Sequence, residues 1–127
     1  KLGNPDGLQA SEPPPHASAA DVEALVQRLA ERMQAQPEDP TGWALLGRAY
    51  AGLQRWEASA KAFDEAVRRS PPDPDLLADY ADVLAMAQGQ KLAGEPEKLV
   101  QRALALAPDH LKSLALAGSA AFERGDA

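Results

Sequence analysis

Prolines recur at nearly regular intervals along this chain of 127 residues. Pro37, Pro71 and Pro108 lie 34 and 37 residues apart, and a segment with helical hydrophobic spacing precedes each of them. A period of this length is typical of proteins in which pairs of helices stack, because one pair cannot bury its apolar face alone. The spacing therefore predicts an array of helix pairs, and such an array is more often built to hold a polypeptide than to catalyse a reaction.

The first full period fits one particular repeat. It has the large, small and aromatic positions of the tetratricopeptide repeat (TPR), a pair of antiparallel helices. These positions are Trp43, Leu46, Gly47, Tyr50, Phe63, Ala66 and Pro71. Alanine is abundant and β-branched residues are scarce, so the composition favours close helix packing over a sheet. We expect an all-α TPR solenoid of about six helices that ends after the first helix of the third repeat.

The chain divides into a tail and one helical domain. Residues 1–17 are rich in proline and lack helical periodicity, which predicts a linker or tail. Asp39-Pro40 and Asp73-Pro74 each place a capping side chain before a proline that needs no hydrogen bond, so both mark helix starts. The domain over 18–127 is predicted to contain a capping helix at 19–36, a repeat at 40–71, a repeat at 74–108 and a half repeat at 110–127. The helices within the repeats are expected at 40–53, 56–69, 74–87, 96–107 and 110–124.

An insertion separates the two helices of the second repeat. Ala66 and Ala103, which occupy the same repeat position, are 37 residues apart, and the extra residues fall within 88–95. Gly89 and Gly94 favour turns in this segment. We expect a lengthened loop between helices, of the kind that a protein surface tolerates.

Small residues mark the points at which the helices of a pair should cross. Gly47, and Gly118 at the corresponding depth, are expected to face a second helix, so that a larger side chain would overpack the crossing. The other expected positions of the repeat core are Tyr80, Ala103 and Pro108.

The half repeat is expected to carry an apolar face. Because a solenoid helix buries one face on its neighbour, Leu114, Ala117 and Ala121 should stay exposed unless another chain covers them. One possible function is therefore a scaffold or oligomerisation module that associates with itself through this face.

The first helices of the repeats should line an inner groove. By their register, nine residues are predicted to point away from the second helix of each pair. They are Leu45, Arg48, Gly52, Asp79, Asp82, Met86, Leu116, Ser119 and Phe122. This stripe is small, apolar and weakly acidic, so we expect it to bind an amphipathic, somewhat basic helix. Capture of a terminal carboxylate is less favoured, since the stripe offers only Arg48 as a cation. The alternative for Asp79 and Asp82 is that they are simply solvated.

Residues for common catalytic and metal sites are missing from the sequence. Cysteine is absent, and His16 and His110 have no partner at ligand spacing. No glycine-rich phosphate loop occurs, and the net charge of −6 argues against a nucleic-acid partner. We expect neither enzymatic activity nor a metal or cofactor.

Three stretches resemble one family more closely than the general repeat. LADYADVLAMAQG at 77–89, LAGEP at 92–96 and ALAGSAAF at 115–122 are similar to the periplasmic TPR domain of cytochrome c biogenesis factors of the CcmI/CycH family. The stretch LGNP at 2–5 is similar to the residues that precede that domain. The resemblance implies the periplasmic part of a bacterial inner-membrane protein, attached to the membrane only through an N-terminal part ahead of Lys1.

The resemblance also implies a partner. Members of that family hold apocytochrome c, largely by its amphipathic C-terminal helix, and deliver it to the cytochrome c maturation machinery for haem ligation. We therefore expect a peptide-binding chaperone module whose groove receives this helix.

Overall fold

The computed structural model describes residues 18–125, which form six α-helices and no strand. The helices are α1 (Ala19–Ala35), α2 (Pro40–Gly52), α3 (Trp56–Arg69), α4 (Pro74–Ala87), α5 (Glu95–Leu106) and α6 (Leu111–Glu123). Each bound lies within one residue of the expected one. The expected tail at 1–17 lies outside the described residues.

The helices stack in chain order as an all-α TPR solenoid. The most extensive packing lies within the pairs α2 with α3 and α4 with α5, and α3 and α5 then pack on the first helix of the next unit. The first helices also meet directly, since α4 contacts α6. Helix α1 packs on α2 and covers the start of the array.

Local hydrogen bonds explain where several helices begin. Ser18 and Asp21 form a reciprocal capping box at the start of α1. Asp39 accepts a hydrogen bond from the backbone N–H of Thr41 at 3.1 Å, and Asp73 caps α4 in the same way. A proline follows each aspartate, at a position where the missing N–H would have no partner in the helix.

The crossing of α2 and α3 is close because Gly47 has no side chain. A Cβ atom at this position would lie 2.8 Å from the ring of Phe63, which is only 1% exposed. Ser59 Oγ donates a hydrogen bond to the Gly47 carbonyl oxygen at 2.6 Å across the same contact. In the second pair, Ala81 and Ala103 are both fully buried in one cluster between α4 and α5.

The remaining expected core positions of the first repeat differ in burial. Trp43, Leu46 and Ala66 are buried, whereas Tyr50 is half-buried. Trp43 Nε1 donates a hydrogen bond to the carbonyl oxygen of Pro37 at 2.7 Å. The proline that ends α1 is thus tied to the first helix of the next unit.

Three expected core positions are exposed, and for them the prediction is wrong. No atom lies within 4 Å of a Cβ built on Gly118, because none of the helices in the range 18–125 crosses α6 at that point. Pro71 and Pro108 follow the helix caps Ser70 and Ala107 and face solvent. Both prolines act on the backbone, where they prevent the helix from continuing, and they contribute little to packing.

The insertion at 88–95 is part of the core, which the sequence did not indicate. Leu92 is only 5% exposed and clusters with Ala85 of α4 and Ala120 of α6. Its backbone N–H donates to both carboxylate oxygens of Glu123 in α6, at 3.0 and 2.8 Å. The side-chain amide of Gln88 donates to two carbonyl oxygens of the loop at 2.7 and 2.8 Å. The segment therefore wedges one leucine between the first helices of two successive repeats.

Alanine substitutions at two glycines test the difference between a crossing and an open surface. Gly47→Ala should lower the free energy of unfolding by about 1–3 kcal/mol, because the buried Phe63 ring must move. Gly118→Ala, the matched control, should raise it by about 0.5–1 kcal/mol through helix propensity alone. Urea unfolding followed by circular dichroism measures both, and equal effects at the two glycines would contradict this packing.

The role of the insertion is tested by truncating its buried leucine. Leu92→Ala should cost about 2–5 kcal/mol of unfolding free energy, as expected for a large-to-small change in a core. The exposed neighbour Lys91 provides the control, since Lys91→Ala should stay within about 0.5 kcal/mol of the unmodified protein. If both variants unfold at the same urea concentration, the segment is only a surface loop.

Candidate peptide-binding groove

A cavity of about 380 Å³ opens between α2 and α4 and is closed at one side by a residue of α6. Small and apolar residues form much of its wall, and charged groups from three helices stand around it. The lining residues are Arg48, Ala51, Gly52, Trp56, Phe63, Asp79, Asp82, Val83 and Lys112. Four of the predicted groove residues, Arg48, Gly52, Asp79 and Asp82, are thus brought together.

The other five predicted groove residues do not line this cavity. Leu45 and Ser119 are exposed and Met86 is half-buried. Leu116 is half-buried because it packs against the clusters formed by α4, α5, α6 and the insertion. Phe122 is 83% exposed on α6.

The charged groups of the groove form one connected set of ion pairs. Arg48 Nη2 of α2 lies 3.5 Å from Asp79 Oδ2 of α4. Lys112 Nζ of α6 lies 2.9 Å from Asp79 Oδ1 and 3.2 Å from Asp82 Oδ2. Two cations therefore balance two carboxylates, so the expectation of an acidic stripe is wrong, and so is that of two solvated aspartates.

Lys112 is the charged residue of the groove that the sequence pattern did not predict. It occupies the same register position as Thr41 in the first repeat, two residues before the large residue of the motif. The predicted stripe left out this first-turn position. With this position included, the sequence would have predicted a cation near the aspartates. It would still not have indicated which of the two aspartates the cation contacts.

The environment of Lys112 favours its charged form. Partial burial lowers the pKa of the ammonium, but the hydrogen bond and the negative charge of Asp79, followed by those of Asp82, outweigh burial and hold the pKa above its usual value. Lys112 therefore remains a cation across the physiological range.

Arg48 is held from two sides. Its guanidinium carbon lies 6.0 Å from the centre of the Phe63 ring, at the outer limit of a cation–π contact, and one nitrogen faces Asp79. More than half of the side chain is nevertheless exposed. Arg48 thus presents further N–H donors to a molecule in the groove.

A larger cavity of about 580 Å³ lies on a different face of α4, against α3. Its floor includes Ala60, Tyr80 and Leu84. Tyr80, expected as a core residue, is half-buried there and donates a hydrogen bond from its hydroxyl to Asp64 Oδ1 at 3.1 Å. Burial, together with the charge and hydrogen bond of Asp64, raises the pKa of Tyr80 to about 12. Arg68 on the rim pairs with Asp64 on its own helix at 2.9 Å, so this cavity lacks the cross-helix charges of the groove.

Three residues with the composition of a catalytic triad meet at the start of α6, but they form a helix cap. Asp75 Oδ1 lies 2.5 Å from His110 Nε2, and His110 Nδ1 lies 2.7 Å from Ser113 Oγ. Ser113 is 0% exposed and its backbone N–H points at the same imidazole nitrogen. A hydroxyl sealed from solvent cannot reach a substrate, so the contact serves to join α4 to α6.

Within the described range, no group of three or more histidine or acidic residues is placed to hold a metal ion. None of the helices between residues 18 and 125 has the length and apolar character to cross a bilayer.

The sequence of this chain is similar to those of known proteins. The family described as the TPR domain of cytochrome c-type biogenesis protein H matches residues 9–127. The cytochrome c-type biogenesis protein CycH of Pseudomonas aeruginosa is 35% identical over 102 residues, which are 80% of this chain and 25% of that protein. CycH of Rhizobium meliloti is 32% identical over 93 residues, which are 73% of this chain and 24% of that protein. The formate-dependent nitrite reductase complex subunit NrfG of Escherichia coli O157:H7 is 30% identical over 106 residues, which are 84% of this chain and 54% of that protein. The chain thus spans about a quarter of the length of the CycH relatives and about half of NrfG.

Tyr80, in the larger cavity, makes the free energy of unfolding depend on pH in the alkaline range. The pKa of Tyr80 is about 12 in the folded protein and 10.0 for an ordinary tyrosine, so the folded state holds the proton more tightly. This contribution is complete below pH 10 and is lost as the pH rises towards 12. Urea unfolding across that pH interval should show that the free energy of unfolding falls more steeply with pH for the unmodified protein than for Tyr80→Phe. Tyr50→Phe is the control and should keep the steeper loss, whereas equal slopes for the unmodified protein and Tyr80→Phe would contradict the assignment.

Proposed function

Because this chain belongs to the family of TPR domains of cytochrome c-type biogenesis protein H, we propose that it is a peptide-binding module of cytochrome c maturation. In this proposal it acts as a chaperone that holds apocytochrome c by its amphipathic C-terminal helix and delivers it to the maturation machinery for haem ligation. The domain faces the periplasm as part of a longer inner-membrane protein. It binds and releases its partner without a chemical step of its own.

The groove between α2, α4 and α6 is the observation that carries the proposal. Ala51 and Gly52 are small residues of its wall and Val83 is an apolar one, which allows the backbone of a partner helix to come close. Leu45, more than half exposed on α2, adds apolar surface on the same helix. An amphipathic helix laid in such a groove buries its apolar stripe while its polar face stays in water.

Apolar contact should supply most of the affinity, and the ion pairs should set the orientation. Burial of apolar surface yields about 25 cal/mol per Å², so even a modest contact area contributes several kcal/mol. Exposed ion pairs contribute about 0–1 kcal/mol each, and the four charged groups of the groove cancel one another. The proposed partner therefore needs an apolar stripe more than a positive charge.

The direct test is titration with a peptide of about twenty residues from the C-terminus of a c-type cytochrome of the same bacterium, followed by calorimetry. A peptide with the same composition but without the helical apolar spacing is the control for sequence. No binding of the native peptide would refute the proposed function.

A matched pair of glycine variants tests whether the groove is the binding site. Gly52 lines the cavity and Gly118 does not, yet a Cβ at either position meets no atom within 4 Å. Gly52→Leu should place a bulky side chain in the cavity and weaken peptide binding at least about tenfold, whereas Gly118→Leu should bind like the unmodified protein. Equal affinity of Gly52→Leu and the unmodified protein would place the peptide elsewhere.

Self-association is a second candidate function, because α6 carries large exposed apolar side chains. Leu111 and Phe122 are each 83% exposed, and Leu114 is exposed as expected, whereas Ala117 and Ala121 are half-buried. A second copy of the chain would cover this face. Light scattering across a concentration series of the protein measures its molar mass in solution. A protein that stays monomeric at every concentration would exclude this role.

A further inference from the structure

We infer that Asp79 determines which partners the groove accepts, because its carboxylate occupies the position that a partner's carboxylate would otherwise take. The inference rests on the proposed function, since it concerns the class of segment bound in the same groove. The groove accepts helical segments that have no carboxylate at the position between Arg48 and Lys112.

Asp79 lies within ion-pair distance of two cations, as a carboxylate bound between them would. Its Oδ2 lies 3.5 Å from Arg48 Nη2, and its Oδ1 lies 2.9 Å from Lys112 Nζ. The two cations belong to α2 and α6, which flank α4, so each oxygen faces a cation from a different repeat. Paired cations of this kind are a common means of recognising a carboxylate of a peptide. Here the groove already contains its own anion.

Asp79 and Asp82 differ in a way that makes the assignment specific. Asp82 contacts Lys112 at 3.2 Å, and its side chain is 46% exposed, against 26% for Asp79. Within residues 18–125, Asp79 is the carboxylate that lies within ion-pair distance of Arg48. Loss of Asp82 leaves a carboxylate between the two cations, whereas loss of Asp79 opens that position.

An arriving carboxylate gains little between Arg48 and Lys112 in the unmodified groove. To contact both cations there it would have to displace Asp79, which exchanges one set of ion pairs for another and adds a like charge nearby. Without Asp79, the same carboxylate would meet Arg48 and Lys112 with donors already in place. Because both cations are about half exposed, solvent screens the gain, and we expect a preference of about tenfold rather than a much larger one.

The experiment compares Asp79→Ala with Asp82→Ala, two variants that remove the same charge from the same helix. The probe is an acetylated, uncharged apolar pentapeptide in two forms, one with a free C-terminal carboxylate and one amidated. Affinities come from NMR titration of the backbone amides. Asp79→Ala should bind the carboxylate form about tenfold more tightly than the amide, whereas the unmodified protein and Asp82→Ala should show a ratio within about twofold or no binding of either form.

A double variant identifies the cations. Adding Arg48→Ala to Asp79→Ala should lower the preference, because Lys112 is then the one cation left of the pair. Circular dichroism at 222 nm checks that each variant keeps its helices. If Asp79→Ala loses them, Asp79→Asn takes its place with the same expected preference.

Two results would overturn the inference. One is the absence of a carboxylate preference in the Asp79 variant, including no binding of either probe. The other is an equal preference in Asp82→Ala, which would show a general effect of charge. Neither result touches the proposed function, which depends on whether the unmodified protein binds the cytochrome peptide.

Discussion

The close crossing of α2 and α3 at Gly47 sets the geometry on which the rest of the array depends. The buried ring of Phe63 lies where any side chain at position 47 would stand, and Ser59 ties the two helices together at the same point. The second pair repeats the arrangement with Ala81 and Ala103. The first helices of the repeats then come together at one cavity, which residues of α2, α4 and α6 line.

The groove is charged but balanced, and this changes what it can recognise. Arg48, Asp79, Asp82 and Lys112 come from three helices and cancel in charge. Since all four remain partly exposed, their pairing adds little to folding stability but fixes where donors and acceptors stand. A partner therefore meets charged groups of both signs around small apolar residues, rather than the weakly acidic stripe that the sequence predicted. Selectivity follows from the positions of single groups.

The irregular interval of the repeat also has a structural role. The residues at 88–95 lengthen the second unit, and they insert Leu92 between α4 and α6 while Glu123 fixes the backbone beside it. A leucine between glycines and polar residues carries no periodic signal, so the sequence could not distinguish a buried wedge from an exposed loop. The same limit applies to Gly118. Its motif position predicts a crossing, but no helix among residues 18–125 crosses there.

By itself, the sequence determined the helices, their bounds and the repeat to which they belong. These features depend on contacts within a few residues, such as Asp39 with Thr41 and the prolines that end helices, and on the spacing of apolar side chains. The tertiary structure decided which distant groups meet: Lys112 with Asp79, 33 residues away, and His110 with Asp75, 35 residues away. The reason is physical. A helix cap is local in the chain, whereas an ion pair across a groove depends on the positions of helices that only packing brings together.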